Sequence, residues 1–238
     1  MNVGSAFANL TPYATPGDAL ADHAARRPNS EAMVFPQSNA RMTFGEWHER
    51  ATRLARALLD LGLAPGDHIG ILAESRIEWP VAQMAIALMG GVMVPLNTHY
   101  RLDDLRYALS HSETRCLFLS SAFRNNRYLE MAETLRGELD VLETLITFDD
   151  ATDTARAYAD LLDAGADSDT ALPEVSPDAV ASLQYTSGTT GFPKGAYLHH
   201  RGLVNNGRFI AERLGVRPGS TYINPMPLFH TGGCVCAV

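Results

Sequence analysis

Apolar and polar positions change period repeatedly along this chain, and each change marks an element. From Thr43 the pattern is helical: Phe44, Trp47, Ala51, Leu54, Ala55 and Leu58 recur at the three- and four-residue spacing of one buried face. Thr43 and Glu46 stand at capping-box spacing, and Gly62 stands where a left-handed residue closes a helix. Short apolar runs follow. Ile69-Gly70-Ile71-Leu72, Val92-Met93-Val94 and Cys116-Leu117-Phe118-Leu119 read as buried strands, with a fourth over 142–148. Helical stretches lie between and after them, over 79–88, 102–109 and 128–135, the last expected to stop before Gly137. Strands that alternate with helices predict a parallel sheet with helices on both faces.

The second half reads differently. Residues 151–177 are rich in Ala and Asp, with a short helix expected over 158–162. Strands are then expected over 179–184 and 196–198. A helix marked by Leu203, Val204, Gly207, Ile210, Ala211 and Leu214 ends at Gly215, and over 222–227 a strand running into a proline-bounded loop is expected. The division expected is an N-terminal α/β subdomain over 1–150, a linker over 151–178, and the start of a second α/β subdomain over 179–238. The apolar run Cys234-Val235-Cys236-Ala237-Val238 is read as the interior of an unfinished domain.

Composition narrows the class. With 238 residues, 46% of them hydrophobic, the chain can bury a sizeable core. A formal charge of −8 without Lys/Arg clusters argues against nucleic acid and against an anionic membrane surface as partners. Three cysteines, Cys116, Cys234 and Cys236, are too few for a disulfide framework or a four-cysteine zinc site, and suit a reducing, cytoplasmic compartment. No charged residue lies between Glu78 and Arg101, a length that raises a transmembrane helix. Pro80, Gln83, Gly90-Gly91 and Pro95 instead divide it into helix, break and strand. Residues 1–15 have no basic start or sustained apolar stretch, so no signal peptide is read.

Chemistry concentrates in Tyr185-Thr186-Ser187-Gly188-Thr189-Thr190-Gly191-Phe192-Pro193-Lys194-Gly195. Four Ser/Thr hydroxyls, three glycines and one lysine share this turn. Glycine lets backbone N–H groups approach anionic oxygens, hydroxyls donate further hydrogen bonds, and lysine supplies a full positive charge: together they suit phosphate. A Walker A loop needs glycine directly before its lysine and Ser/Thr directly after, opening a helix. Pro193 and Gly195 hold those places, between two predicted strands, so a P-loop NTPase is excluded, as is a kinase-type Gly-rich loop.

The run resembles the phosphate-binding loop of the adenylate-forming enzymes, which include acyl-CoA synthetases, luciferases and the adenylation domains of peptide synthetases. The resemblance extends to Met42-Thr43-Phe44-Gly45-Glu46, Leu54-Ala55, Leu58, Gly62, Gly66-Asp67, and to Leu88-Met89-Gly90-Gly91-Val92-Met93-Val94-Pro95-Leu96-Asn97. His200-Arg201-Gly202-Leu203-Val204-Asn205-Asn206 and Pro227-Leu228-Phe229-His230-Thr231-Gly232-Gly233 are similar to the acyl-CoA synthetase branch in particular. The similarity runs from about the first helix to the last residue.

This resemblance implies doubly wound, mostly parallel α/β sheets flanked by helices, the N-terminal part of a truncated adenylate-forming large domain. It implies ATP-dependent activation of a medium- or long-chain fatty acid to an acyl-adenylate, followed by thioester formation with CoA. Thr186, Ser187, Gly188, Thr189, Thr190, Gly191 and Lys194 are assigned to the ATP phosphates, and Lys194 and His230 to catalysis. His230 falls where the family places an aromatic or histidine residue beside the acyl carboxylate and thioester path. Mg2+ ligands, the adenine and ribose contacts, the hinge and the lid with its catalytic lysine are expected beyond Val238, so the isolated chain is expected to have weak or no activity. An aryl- or amino-acid-activating enzyme and a non-catalytic nucleotide-binding paralogue stay open as alternatives, as does a homodimer.

Other candidates have plainer readings. His199-His200 suits a helix entry better than a metal site, because neighbours in sequence point in different directions. Asp103/Asp104 and Asp149/Asp150 read as solvated helix-start and strand-end charges, and Trp47 and Trp79 as core.

Overall fold

The computed structural model describes residues 13–186, 193–217 and 219–235. Helix α1 (Pro16–Arg26) opens on a capping box between Thr15 and Asp18. A hairpin of β1 (Glu31–Phe35) and β2 (Ala40–Thr43) leads into α2 (Phe44–Asp60), whose N-cap is Thr43 with Glu46 closing the box. At its far end Gly62 takes φ +87°, and Gly62 N–H and Leu63 N–H donate to the Leu59 and Leu58 carbonyls. That pairing satisfies the last helical acceptors and turns the chain back toward the sheet.

The remaining elements are β3 (His68–Leu72), α3 (Glu78–Leu88), β4 (Val92–Pro95), α4 (Leu102–His111), β5 (Cys116–Leu119), α5 (Tyr128–Glu138), β6 (Thr144–Thr147), β7 (Arg156–Ala157), α6 (Tyr158–Ala166), β8 (Val180–Thr186), β9 (Lys194–His199), α7 (His200–Arg213) and α8 (Thr231–Cys234). Seven strands form one sheet in the order β7-β6-β5-β3-β4-β8-β9. Every neighbouring pair is parallel except β8 and β9, which pair antiparallel.

Strand periodicity sorts the core into two layers. Ile69, Ile71, Met93, Cys116, Phe118 and Ile146 face a cluster with Leu54 and Leu58 of α2 and Trp79 and Ile86 of α3. Val94, Leu117, Leu119 and Leu145 face the opposite way, onto Leu105 and Leu109 of α4 and Ala132 and Leu135 of α5. Leu54 and Leu58 are each 0% exposed, and burying such a side chain contributes about 1.5–3 kcal/mol. The helices therefore cover both faces, as the alternation predicts. Among the described residues no helix is long and apolar enough to cross a membrane.

Four stretches differ from the sequence reading. Helix α5 runs through Gly137 to Glu138 instead of ending before the glycine. The strand expected over 142–148 is confined to β6, because its ladder partner β5 is only four residues long. Residues 151–178, expected as a linker, carry β7 and α6; α6 lies directly on α2 and extends to Ala166, past the helix expected over 158–162. The strand expected to lead into the proline-bounded loop of 222–227 is absent and the whole stretch is irregular, with Tyr222, Ile223 and Met226 at 45%, 83% and 40% exposure. An apolar run becomes a strand only against an edge that pairs with it, and no described strand does so here.

Candidate functional site

Strand β8 ends at the phosphate-loop candidate and β9 begins after it. Thr186 and Lys194 are register partners, and the Thr186 hydroxyl donates to the Lys194 carbonyl at 3.3 Å. Both residues are exposed, at the carboxyl end of the parallel strands, where open α/β sheets bind their ligands. Ser187, Gly188, Thr189, Thr190 and Gly191 lie outside the described residues. Lys194 is the only lysine of the chain; every other member of the Lys/Arg set is arginine.

Helix α4 anchors both sides of the hairpin. Tyr185 Oη donates to the Ala108 carbonyl at 2.9 Å and lies 3.0 Å from His111 Nδ1. Tyr107 Oη donates to the Pro193 carbonyl at 3.0 Å and its ring stacks on His111 at 5.4 Å. Burial pushes the Tyr185 phenol up to about 12, which keeps it a protonated donor at neutral pH. Sequence reading missed this aromatic group, since contacts spanning 74 to 86 positions leave no local pattern.

The Pro-Leu-Phe-His segment closes a second side. Leu228 is 4% exposed and its N–H donates to Ser75 Oγ at 3.3 Å. His230 is exposed and is the N-cap of α8; its Nδ1 accepts from Gly232 N–H at 3.2 Å. Gly233 is required for the turn, because a Cβ there would lie 2.2 Å from the Pro227 carbonyl oxygen. Two amides reach the end of α8: Gln83 Nε2 donates to the Cys234 carbonyl at 2.8 Å, and Gln184 Nε2 to Cys234 Sγ at 3.4 Å. Gln83 was legible only as a polar interruption of a charge-free run.

Between β3 and β5 the chain departs to opposite faces of the sheet, through α3 and α5 respectively. Arg76 fills this switch point. It donates to Glu78 at 2.8 Å, Asp149 at 3.1 Å, Ser120 Oγ at 3.3 Å and the Phe148 carbonyl at 3.2 Å. Burial of the guanidinium opposes its charge, but these acceptors outweigh it and the pKa rises.

His199 caps α7, its Nδ1 accepting from Gly202 N–H at 2.9 Å, so the helix-entry reading describes it. His200 is 0% exposed and neither ring nitrogen has a hydrogen-bond partner. Asp104 caps the Arg101 N–H at the start of α4, and Asp149 accepts from Ser121 N–H at 2.7 Å at a strand end. Trp47 and Trp79 are core, at 8% and 0% exposure, and Cys116 and Cys234 are buried. Cys236 lies outside the described residues. Among the described residues no group of three or more His, Cys, Asp or Glu side chains gathers to hold a metal ion.

Residues 20–238 match the family described as AMP-binding enzyme. An acyl-CoA ligase of Beauveria bassiana, sidI, is 35% identical over 86% of this chain and 36% of its own length. The mitochondrial medium-chain acyl-CoA ligase ACSF2 of Danio rerio is 32% identical over 88% of this chain and 38% of its own. The crystal structure of a long-chain-fatty-acid-CoA ligase from Archaeoglobus fulgidus superposes with a TM-score of 0.82 at 24% identity, over 96% of this chain and 46% of that one. The chain thus spans less than half the length of these proteins, and matches their N-terminal fold. With the family matched over nearly all its length and the same α/β sheet in place, this chain belongs to the AMP-binding enzyme family.

Proposed function

We propose that this chain carries the phosphate-holding part of an ATP-dependent acyl-CoA ligase. The observation that carries the reading is the hairpin: β8 and β9 bring Thr186 and the chain's only lysine together at the carboxyl edge of a parallel sheet. Thr186, Ser187, Gly188, Thr189, Thr190, Gly191 and Lys194 take the β- and γ-phosphates of ATP, and His230 stands beside the acyl path. The names of the relatives support a fatty acid of medium or long chain as the substrate.

In the first step an acid carboxylate oxygen attacks the α-phosphorus of ATP. The bond to the bridging oxygen breaks and pyrophosphate leaves, its developing charge held by the loop amides and Lys194. In the second a CoA thiolate attacks the acyl carbonyl carbon, the bond to the phosphate oxygen breaks, and AMP leaves. The protein's contribution is placement and charge, with no covalent enzyme intermediate. Among the described residues no group of three or more His, Cys, Asp or Glu side chains gathers to hold the Mg2+ expected with ATP.

The only lysine makes the test direct. An amine-reactive reagent should label Lys194 and the N-terminus, and saturating ATP should protect Lys194 alone. Lys194→Ala should weaken ATP binding about tenfold, the scale of one lost charge-assisted contact. Equal labelling with and without ATP, or unchanged affinity in the variant, would remove the assignment.

A further inference from the structure

Cys234 receives two glutamine amides from different elements: Gln83 from α3 and Gln184 from β8, two residues before Thr186. Cys234 N–H in turn donates to the His230 carbonyl at 3.0 Å, and Gly233 N–H to the same carbonyl at 2.8 Å. One turn of helix thus connects both amides to His230. Neither glutamine is a solvent-facing side chain, each being 6% exposed, and the Gln83 carbonyl oxygen is buried without a partner. A polar side chain held in the core with an unsatisfied oxygen is a liability for stability alone. Its neighbours on α3, Val81, Ala82, Met84, Ala85 and Ile86, are apolar and buried.

We propose that Gln83 and Gln184 are positioning residues, a two-point clamp on α8 that sets His230 relative to the strand leading into the phosphate loop. Gln184 ties the turn to the loop strand, Gln83 ties it to the rigid helix below, and Ser75 holds the preceding Leu228. A shift of the phosphate loop is then felt at His230 through Cys234. The catalytic sense of this clamp rests on the ligase reading; its geometry does not.

The test uses Gln83→Met and Gln184→Met in the full chain, with three readouts. Methionine keeps the volume and removes the amide. In Gln83→Met it also removes the unpaired oxygen, so the thermal midpoint should stay within about 4 °C of the parent. The imidazole resonances of His230 should shift in both variants while ATP affinity is retained. In acid-dependent pyrophosphate exchange by the complete ligase carrying the same substitutions, kcat should fall by on the order of tenfold with KM for ATP held. His230 resonances unchanged in folded variants overturn the clamp, as does a midpoint that collapses together with ATP binding. A parent chain that binds no ATP counts against the ligase reading, and the ring signal still decides the clamp.

Discussion

The Tyr185 hydroxyl donates to the Ala108 carbonyl across 77 positions of sequence, at 2.9 Å. With the Tyr107 bond to Pro193 it fastens both strands of the candidate phosphate hairpin to one helix. Tyr185→Phe removes a half-buried donor and leaves the ring in place. The expected loss is about 1 kcal/mol of unfolding free energy, read as a lower urea midpoint with an unchanged slope. ATP affinity should fall in the same variant, because the loop's base would be less constrained. A midpoint equal to the parent's would mean that the bond is solvent-replaceable.

Two glycines make opposite predictions. At Gly165 a Cβ would lie 2.0 Å from the Arg53 carbonyl oxygen, where α6 crosses α2. Backbone is met there, not a flexible side-chain end, so Gly165→Ala should cost about 1–3 kcal/mol. At Gly137, inside α5, an added Cβ has nothing within 4 Å. Gly137→Ala should stabilise by about 0.5–1 kcal/mol through helix propensity alone. Thermal midpoints of the two variants should move in opposite directions, and a shared direction would contradict the packing described.

These glycines also show what the sequence reveals and what it hides. Local signals placed the elements well: the Thr43–Glu46 capping box and Gly62 bound α2 almost to the residue. The run at Cys116–Leu119 was a strand because apolar residues there face both layers. Gly137 misled because a glycine tolerated inside a helix looks the same in sequence as one that ends it. The stretch 151–178 misled because α6 is held by close approach to Arg53, a contact between distant positions. At the site, the hydroxyl- and glycine-rich loop stands out by composition. Tyr107, His111, Gln83 and Arg76 acquire their roles only from partners brought up by the fold, so their types carry no signal alone.

His200 predicts a pH dependence. Its ring is fully buried without partners, and burial lowers its pKa, with Asp18 on α1 opposing and His199 assisting. The folded state therefore holds His200 neutral, while the unfolded chain takes up a proton near pH 6.5. Its contribution is complete above about pH 6.5 and is lost as pH falls from there toward the lower folded pKa. His23 and His48 are lowered by burial in the same direction. Unfolding free energy should be lower at pH 5.5 than at pH 7.5, and His200→Leu should shrink that difference. Equal pH dependence in parent and variant would assign the effect to other groups.

Arg76 makes the last prediction, because one guanidinium serves three carboxylates at the switch point. It is 20% exposed, with Glu74, Glu78 and Asp149 at 31%, 26% and 42%. Its carbon also lies 5.1 Å from the Phe148 ring centroid. Arg76→Met keeps contact with the ring but removes the guanidinium from three negative groups and the Phe148 carbonyl, Asp149 keeping the Ser121 N–H and Glu74 the Ser120 hydroxyl. Partial exposure of the carboxylates weakens the effect below that of a fully buried pair, to about 2 kcal/mol at neutral pH. Burial alone would raise the Asp149 pKa, but the Ser121 N–H and Arg76 outweigh it and hold the carboxyl below its ordinary range. A depressed carboxylate stabilises above its unfolded pKa of about 3.9, and that contribution is lost as pH falls through the folded value. The gap between parent and Arg76→Met should therefore be full near pH 7 and narrow as pH falls from 7 to below about 4 in urea unfolding. A gap that stays constant over that range would show that the arginine acts through packing on Phe148 and not through its charge.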